Sequence, residues 1–309
     1  MYQVLRPSRS AHVPIRFHDY HVRLWGQGGS GQPPLVLVHG WMDVAASWQF
    51  MVDALDEAFF AQRLIVAPDW RGFGHTRGPA CDHYAFADYL GDLEGLLDHF
   101  CGDVPVDLIG HSMGGNVAMM YAGVRPARIR RLVNLEGFGM PATRPGQAPR
   151  RYAQWLDEIG RLQRGENALR SYDSVDGVAR RLMRTNSRLP LAHALWLAHQ
   201  WAEPRTDADG TTRWHILGEA AHRVSSAQLF RVEEMLALYA AIAAPTLVVE
   251  ASDNAMGDWW KGRFTLDEFH QRLQSVRQLE RITLPDCGHM LHHDQPTLLA
   301  AHVRAFLSP

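Results

Sequence analysis

Apolar residues in the N-terminal third come in short runs separated by turn-forming residues. Residues 21 to 25 (HVRLW) alternate apolar and polar positions, the period of a half-buried strand. Leu35 to Val38 is an unbroken apolar, β-branched run ending at His39-Gly40, the pattern of a strand buried on both faces. Leu64 to Ala67 repeats that pattern and leads into a glycine-rich loop, PDWRGFGHT (68 to 76). Between Asp82 and Phe100 the apolar residues Phe86, Tyr89, Leu90, Leu93, Leu96 and Leu97 fall at helical spacing. Val106 to Ile109 predicts a third buried strand, Val117 to Val124 a helix, and Ile129 to Leu135 a fourth strand. GQGGSGQPP (26 to 34) reads as a turn-rich loop.

After Gly137 the rhythm changes. From there to Ala243 the chain reads as helices and loops with few strand signals, and Trp155, Trp196, Trp201 and Trp214 lie within it. Strand character returns at Thr246 to Val249. A helical stretch (Leu266 to Val276), a short strand (281 to 284) and a closing helix (Pro296 to Leu307) follow, the last with proline at a favourable first position. Alternating strands and helices imply an α/β fold: a doubly wound, mostly parallel sheet with helices on both faces. A helical cap is inserted before the last two strands. The expected organisation is a core of residues 1–136 and 244–309 and a cap, or lid, of residues 137–243.

The sharpest chemical signal is Gly110-His111-Ser112-Met113-Gly114-Gly115. G-x-S-x-G is common by chance, but here it follows a buried strand (VDLI) and opens a helix (NVAMMYAGV). That context defines a nucleophile elbow, a tight strand-to-helix turn that projects the serine hydroxyl above the sheet edge. The helix N-terminus beside it favours a developing anion.

Four elements in this order, HGW (39 to 41), PDWRGFGHT, GHSMGG (110 to 115) and DCGHMLHHDQP (286 to 296), resemble those of the α/β-hydrolase superfamily over nearly the whole chain. The resemblance implies that the Trp41 backbone N–H, from the turn after the first buried strand, forms an oxyanion hole with the Met113 N–H. His39 then orders loops. It also implies a general base late in the chain. Of His289, His292 and His293, His289 occupies the family's Gly-His position. A metal reading of His289, His292, His293 and Asp294 lacks a helical ligand spacing such as HExxH and is set aside. Asp69, Arg71 and Gly74 shape the loop beside the site.

The acid is less direct. In most of the superfamily it lies three residues beyond a glycine ending the penultimate strand. In Val249-Glu250-Ala251-Ser252-Asp253-Asn254 that position holds Asn254, and Asp253 is one residue early. The alternative position, after the fourth strand, holds Glu136, in a segment similar to that of haloalkane dehalogenases with a Glu acid. Glu136 is favoured, with Asp253 the alternative. The dehalogenase likeness stops at the nucleophile, because alkyl displacement needs a carboxylate where this chain has Ser112.

Composition narrows the rest. The 309 residues carry a net charge of -2, so no basic excess exists to neutralise nucleic-acid phosphates. Three cysteines (Cys81, Cys101, Cys287) cannot close a disulfide framework and match no zinc spacing. No run approaches the ~18 apolar residues of a membrane span, and the N-terminus lacks a signal-peptide core. A cytoplasmic protein is expected, with no nucleic-acid or membrane partner and no cofactor or metal. Lys261 is the lone lysine, and the Arg125, Arg128, Arg130 and Arg131 run reads as a solvated face.

The expected function is a serine hydrolase acting through an acyl-enzyme on Ser112. Its small-molecule acyl substrate is a small or medium apolar ester, thioester, lactone or amide. Two rivals remain: a C–C bond hydrolase on the same triad, and a ligand-binding receptor with an idle triad.

Overall fold

A computed structural model describes residues 2–28 and 31–308. Residues 29 and 30 of the turn-rich loop lie outside that range. Eleven strands are found among the described residues. Eight form one sheet: β1 (Arg9–Ile15), β2 (His18–Trp25), β3 (Leu35–Val38), β4 (Ile65–Pro68), β5 (Val106–His111), β6 (Ile129–Leu135), and, after the insertion, β10 (Thr246–Ala251) and β11 (Leu279–Leu284). Their order is β1-β2-β4-β3-β5-β6-β10-β11; β1 and β2 pair antiparallel, β2 joins β4 antiparallel, and the rest are parallel. The winding reverses between β3 and β5, and at such switch points α/β sheets bind ligands beyond the strands' carboxyl ends.

The buried runs have a simple cause. Along β3, Val36 and Val38 join the apolar cluster on one face of the sheet, and Leu35 and Leu37 join the cluster on the other. A strand covered on both faces has no polar side to display, so the sequence reads as an unbroken hydrophobic run. Helices α1 (Gln49–Ala54), α2 (Glu57–Ala61), α3 (Phe86–Cys101) and α4 (Met113–Val124) connect the early strands.

Between β6 and β10 lie helices α5 (Ala148–Gln163), α6 (Val175–Thr185), α7 (Leu191–Trp201) and α8 (Val232–Ala241). This region also holds strands the pattern did not announce: β7 (Ser171–Tyr172), β8 (Ala202–Thr206) and β9 (Thr212–Ile216), in a separate sheet ordered β7-β9-β8. They are short and only partly buried, so hydrophobic alternation is weak. The legible signal was the Asp209-Gly210 turn, with Gly210 at φ 81°. Tyr172, Val178, Leu197, Trp201 and Ile216 of this insertion pack with Val44, Ala46 and Phe50 in a third apolar cluster, and Trp196 and Trp214 lie against it. Helices α9 (Met256–Trp260), α10 (Leu266–Leu273), α11 (Leu291–Asp294) and α12 (Pro296–Leu307) complete the chain. Among the described residues no helix is long and apolar enough to cross a membrane.

Candidate active site

The sheet register brings the candidate residues to one edge. Val38 aligns with Gly110 and Gly110 with Asn134, while His111 aligns with Leu135. Ser112 and Glu136 therefore leave neighbouring strands at the same level. Both have left-handed backbones, φ 52° at Ser112 and φ 56° at Glu136, as does Met42 at φ 54°. Such conformations cost about 1–3 kcal/mol each and persist where surrounding structure enforces them. At the elbow the enforcement is visible. The Ser112 N–H donates to the Leu135 carbonyl at 2.8 Å and its carbonyl accepts from Asn116 N–H at 3.0 Å. A Cβ on Gly114 would stand 2.3 Å from the Val38 carbonyl oxygen, so the helix start fits only as glycine.

The turn after β3 approaches the elbow closely: a Cβ on Gly40 would lie 3.1 Å from Ser112 Cβ. Neither the Trp41 nor the Met113 backbone N–H donates to another described residue. The turn is held from both sides. His39 accepts the Trp70 N–H on Nε2 (2.9 Å) and donates Nδ1–H to the Gly40 carbonyl (2.8 Å), and burial pushes its pKa down to about 4. From the insertion, the Trp201 indole donates to the Met42 carbonyl (3.0 Å), and the Trp41 indole donates to the His222 carbonyl (3.2 Å). Asp69 lies below, accepting from Ala45 N–H (2.7 Å), His75 N–H (2.9 Å) and His21 Nδ1 (2.7 Å). Arg71 is paired with Asp92 at 2.5 and 2.6 Å, so this loop's polar groups serve its own architecture.

His289 lies between β11 and α11. Its Nδ1 is 3.3 Å from Glu136 Oε2, and Glu136 Oε1 accepts the Ala251 N–H at 2.7 Å. When Glu136 is ionised and Nδ1–H is directed at its carboxylate, Nε2 keeps its lone pair. Burial pushes His289 down to about 4, so the imidazole is neutral and able to take a proton across the neutral range. Burial also pushes Glu136 up to about 8, against the Ala251 N–H that pulls it down. The resting pair is thus reluctant to hold charge, and the carboxylate gains most when an imidazolium forms beside it.

Asp253, the alternative acid, is not brought to this pair. Its side chain is 65% exposed and ion-paired with Arg188. Asn254 accepts from the Met256 N–H at 3.3 Å. Of the other late residues, Asp294 accepts the Gly288 N–H (2.8 Å) and the Asn186 amide (2.7 Å), and the side chains of His292 and His293 converge on Ser47.

Two neighbours of His289 went unmarked in the sequence. The His111 Nε2–H donates to the His289 carbonyl at 2.7 Å. The Trp259 ring meets the His289 ring edge-on, centroids 4.5 Å apart, and is 42% exposed. The motif flagged His111 only as the variable residue of the elbow, and Trp259 sits in a segment with no motif.

The profile of the alpha/beta hydrolase fold matches residues 33–296, and the chain belongs to that family. Among characterised relatives, the 2-hydroxy-6-oxo-2,4-heptadienoate hydrolase of Pseudomonas putida is 36% identical over 115 residues, 36% of this chain and 40% of that protein. The cis-3-alkyl-4-alkyloxetan-2-one decarboxylase of Shewanella oneidensis is 34% identical over 191 residues, 59% of this chain and 56% of that one. The matches thus span from two fifths to just over half of these relatives. A hypothetical protein of Pseudomonas aeruginosa PAO1 superposes with a TM-score of 0.79 at 24% identity, covering 96% of this chain and 98% of the other. A thioesterase domain from the curacin biosynthetic pathway superposes with a TM-score of 0.76 at 22% identity, covering 96% and 99%. These two likenesses are of fold.

Proposed function

We propose that the protein is a serine hydrolase that transfers an acyl group to Ser112 and then to water. The observation that carries this reading is the Glu136–His289 pair, with the left-handed Ser112 leaving the neighbouring strand at the level of Glu136. His289 Nε2 takes the Ser112 proton as the hydroxyl oxygen attacks the carbonyl carbon. The oxyanion rests on the Trp41 and Met113 amides, whose N–H groups have no other described partner. His289 then hands the proton to the leaving group, and Glu136 stabilises the imidazolium in between. Water, deprotonated by the same imidazole, releases the acyl group.

The substrate class is a small or medium apolar ester, thioester, lactone or amide. Trp41 (52% exposed) and Trp259 (42% exposed) support an aromatic-walled approach to the serine. Residues 137–243 act as a cap, and their contacts to Trp41 and Met42 tie its position to the oxyanion turn. The site works in the cytoplasm on a free small molecule, without nucleic-acid or membrane partners.

A fluorophosphonate probe tests this directly. Covalent labelling of Ser112, lost in Ser112→Ala, is the expected result; an unlabelled wild-type serine would sink it and leave the receptor reading. One observation favours a second reaction on the same residues: the Pseudomonas putida relative is named as a hydrolase of a dienoate. Cleavage of a vinylogous ring-fission product, with aryl esters turned over more slowly, would select C–C hydrolysis.

A further inference from the structure

A second polar cluster lies next to the His289 loop. Asp43 follows the His39–Trp41 turn, Ser47 lies in the single helical turn Ala45–Trp48, and His292 and His293 belong to α11. Asp43, His292 and His293 are all buried, and each brings one ligand atom within 4.8 Å of the others. The Ser47 hydroxyl stands among them, 3.1 Å from His292 Nε2 and 2.6 Å from His293 Nε2. Asp43 Oδ2 and His292 Nδ1 are buried without a hydrogen-bond partner among the described residues. An unpaired buried polar atom costs about 1–3 kcal/mol. Two imidazoles and one carboxylate, with a hydroxyl at the centre, form a donor set suited to a borderline divalent ion.

We infer that Asp43, His292 and His293 form a binding site for one divalent transition-metal ion of the Zn²⁺ class. At ligand distances of about 2.0–2.2 Å the three side chains must close in around the ion. The orphaned Asp43 oxygen gains a cation. Coordination through Nε2 replaces the His292 contact to the Ser47 hydroxyl and leaves the His292 proton on Nδ1. The His292 ring lies 4.5 Å from that of His111, whose own Nδ1 is buried and unpartnered. His111 in turn holds the His289 carbonyl. A bound ion therefore staples the oxyanion turn to the His289 loop and orders the imidazoles between them.

Metal-free full-length protein is titrated with Co²⁺, followed by its visible ligand-field absorption, and with Zn²⁺, followed by Tm. The expected result is one saturable equivalent of Co²⁺ and a higher Tm with Zn²⁺. Asp43→Asn and His293→Gln should each weaken Co²⁺ binding at least about tenfold, the lower end of what even outer-shell changes cost at metal sites. No Co²⁺ band in the wild type, or either variant binding like the wild type, overturns the site. Should neither variant fold, Zn²⁺-soaked wild-type crystals decide. Anomalous density between the three side chains supports the site; density elsewhere only, or none, overturns it.

Discussion

Glu136 Oε2 stands 3.3 Å from His289 Nδ1, while Asp253 turns outward onto Arg188. Two carboxylates that compete for one role in the chain occupy opposite environments in the fold. Glu136 is buried, held in a left-handed turn at the end of β6 and anchored by the Ala251 N–H.

That contrast predicts unequal mutants. Glu136→Gln should lower kcat on a p-nitrophenyl ester by about 10⁴-fold, as loss of a triad acid does. Asp253→Asn, which breaks an exposed ion pair, should stay within about twofold of wild type, because such pairs contribute little. A crippled Asp253→Asn beside a near-normal Glu136→Gln would transfer the role to Asp253.

The same pair sets the pH dependence. In the proposed mechanism the active form has Glu136 ionised, and burial holds its pKa up to about 8, so kcat/KM should rise with pH toward that value. His289, pushed down to about 4, should cause no acid limb near 6.5. In Glu136→Gln the alkaline rise should vanish, leaving a low, flat profile between about pH 5 and 9. Profiles measured on one ester in both proteins check this.

In the proposed mechanism His111 acts through the backbone of His289. Replacing it with Phe keeps a ring in the buried space but removes the N–H from the His289 carbonyl. The orphaned carbonyl should lower unfolding free energy by about 1–3 kcal/mol in urea titrations. Displacement of His289 should lower kcat about tenfold to a hundredfold. Unchanged kcat in a destabilised variant would confine His111 to stability.

Acid stability has a clear sign. The His222 ring is stacked between Phe73 (3.7 Å) and Tyr84 (3.9 Å), and burial pushes its pKa down to about 3. The unfolded chain takes up this proton near pH 6.5 and the folded chain does not. The stability His222 provides is therefore complete above about pH 6.5 and is lost as pH falls toward 3, at about 1.4 kcal/mol per pH unit. His222→Phe keeps the stack and should flatten the fall in stability between pH 6 and 4 by one proton's worth. Equal slopes in both proteins would refute a neutral buried His222.

By itself the chain determined everything that depends on neighbours in sequence. The unbroken apolar run at Leu35 to Val38 announced a doubly covered strand, Ile129 to Leu135 read as a further strand, and both have those bounds in the structure. The glycines around Ser112 announced a tight turn because small residues there have a local steric reason. Short strands such as β8 and β9 carry no such run, and β1 alternates only over its last few residues, so they escaped. What the tertiary structure decided is which distant groups meet. Glu136 and His289 are 153 residues apart, and the alignment of β6 with β10 and the loop after β11 brings them together. The same assembly turned Asp253 to solvent, placed Trp259 on the His289 ring and gathered Asp43, His292 and His293 around Ser47. No spacing encodes those meetings, because they follow from sheet register and packing between segments that are remote along the chain.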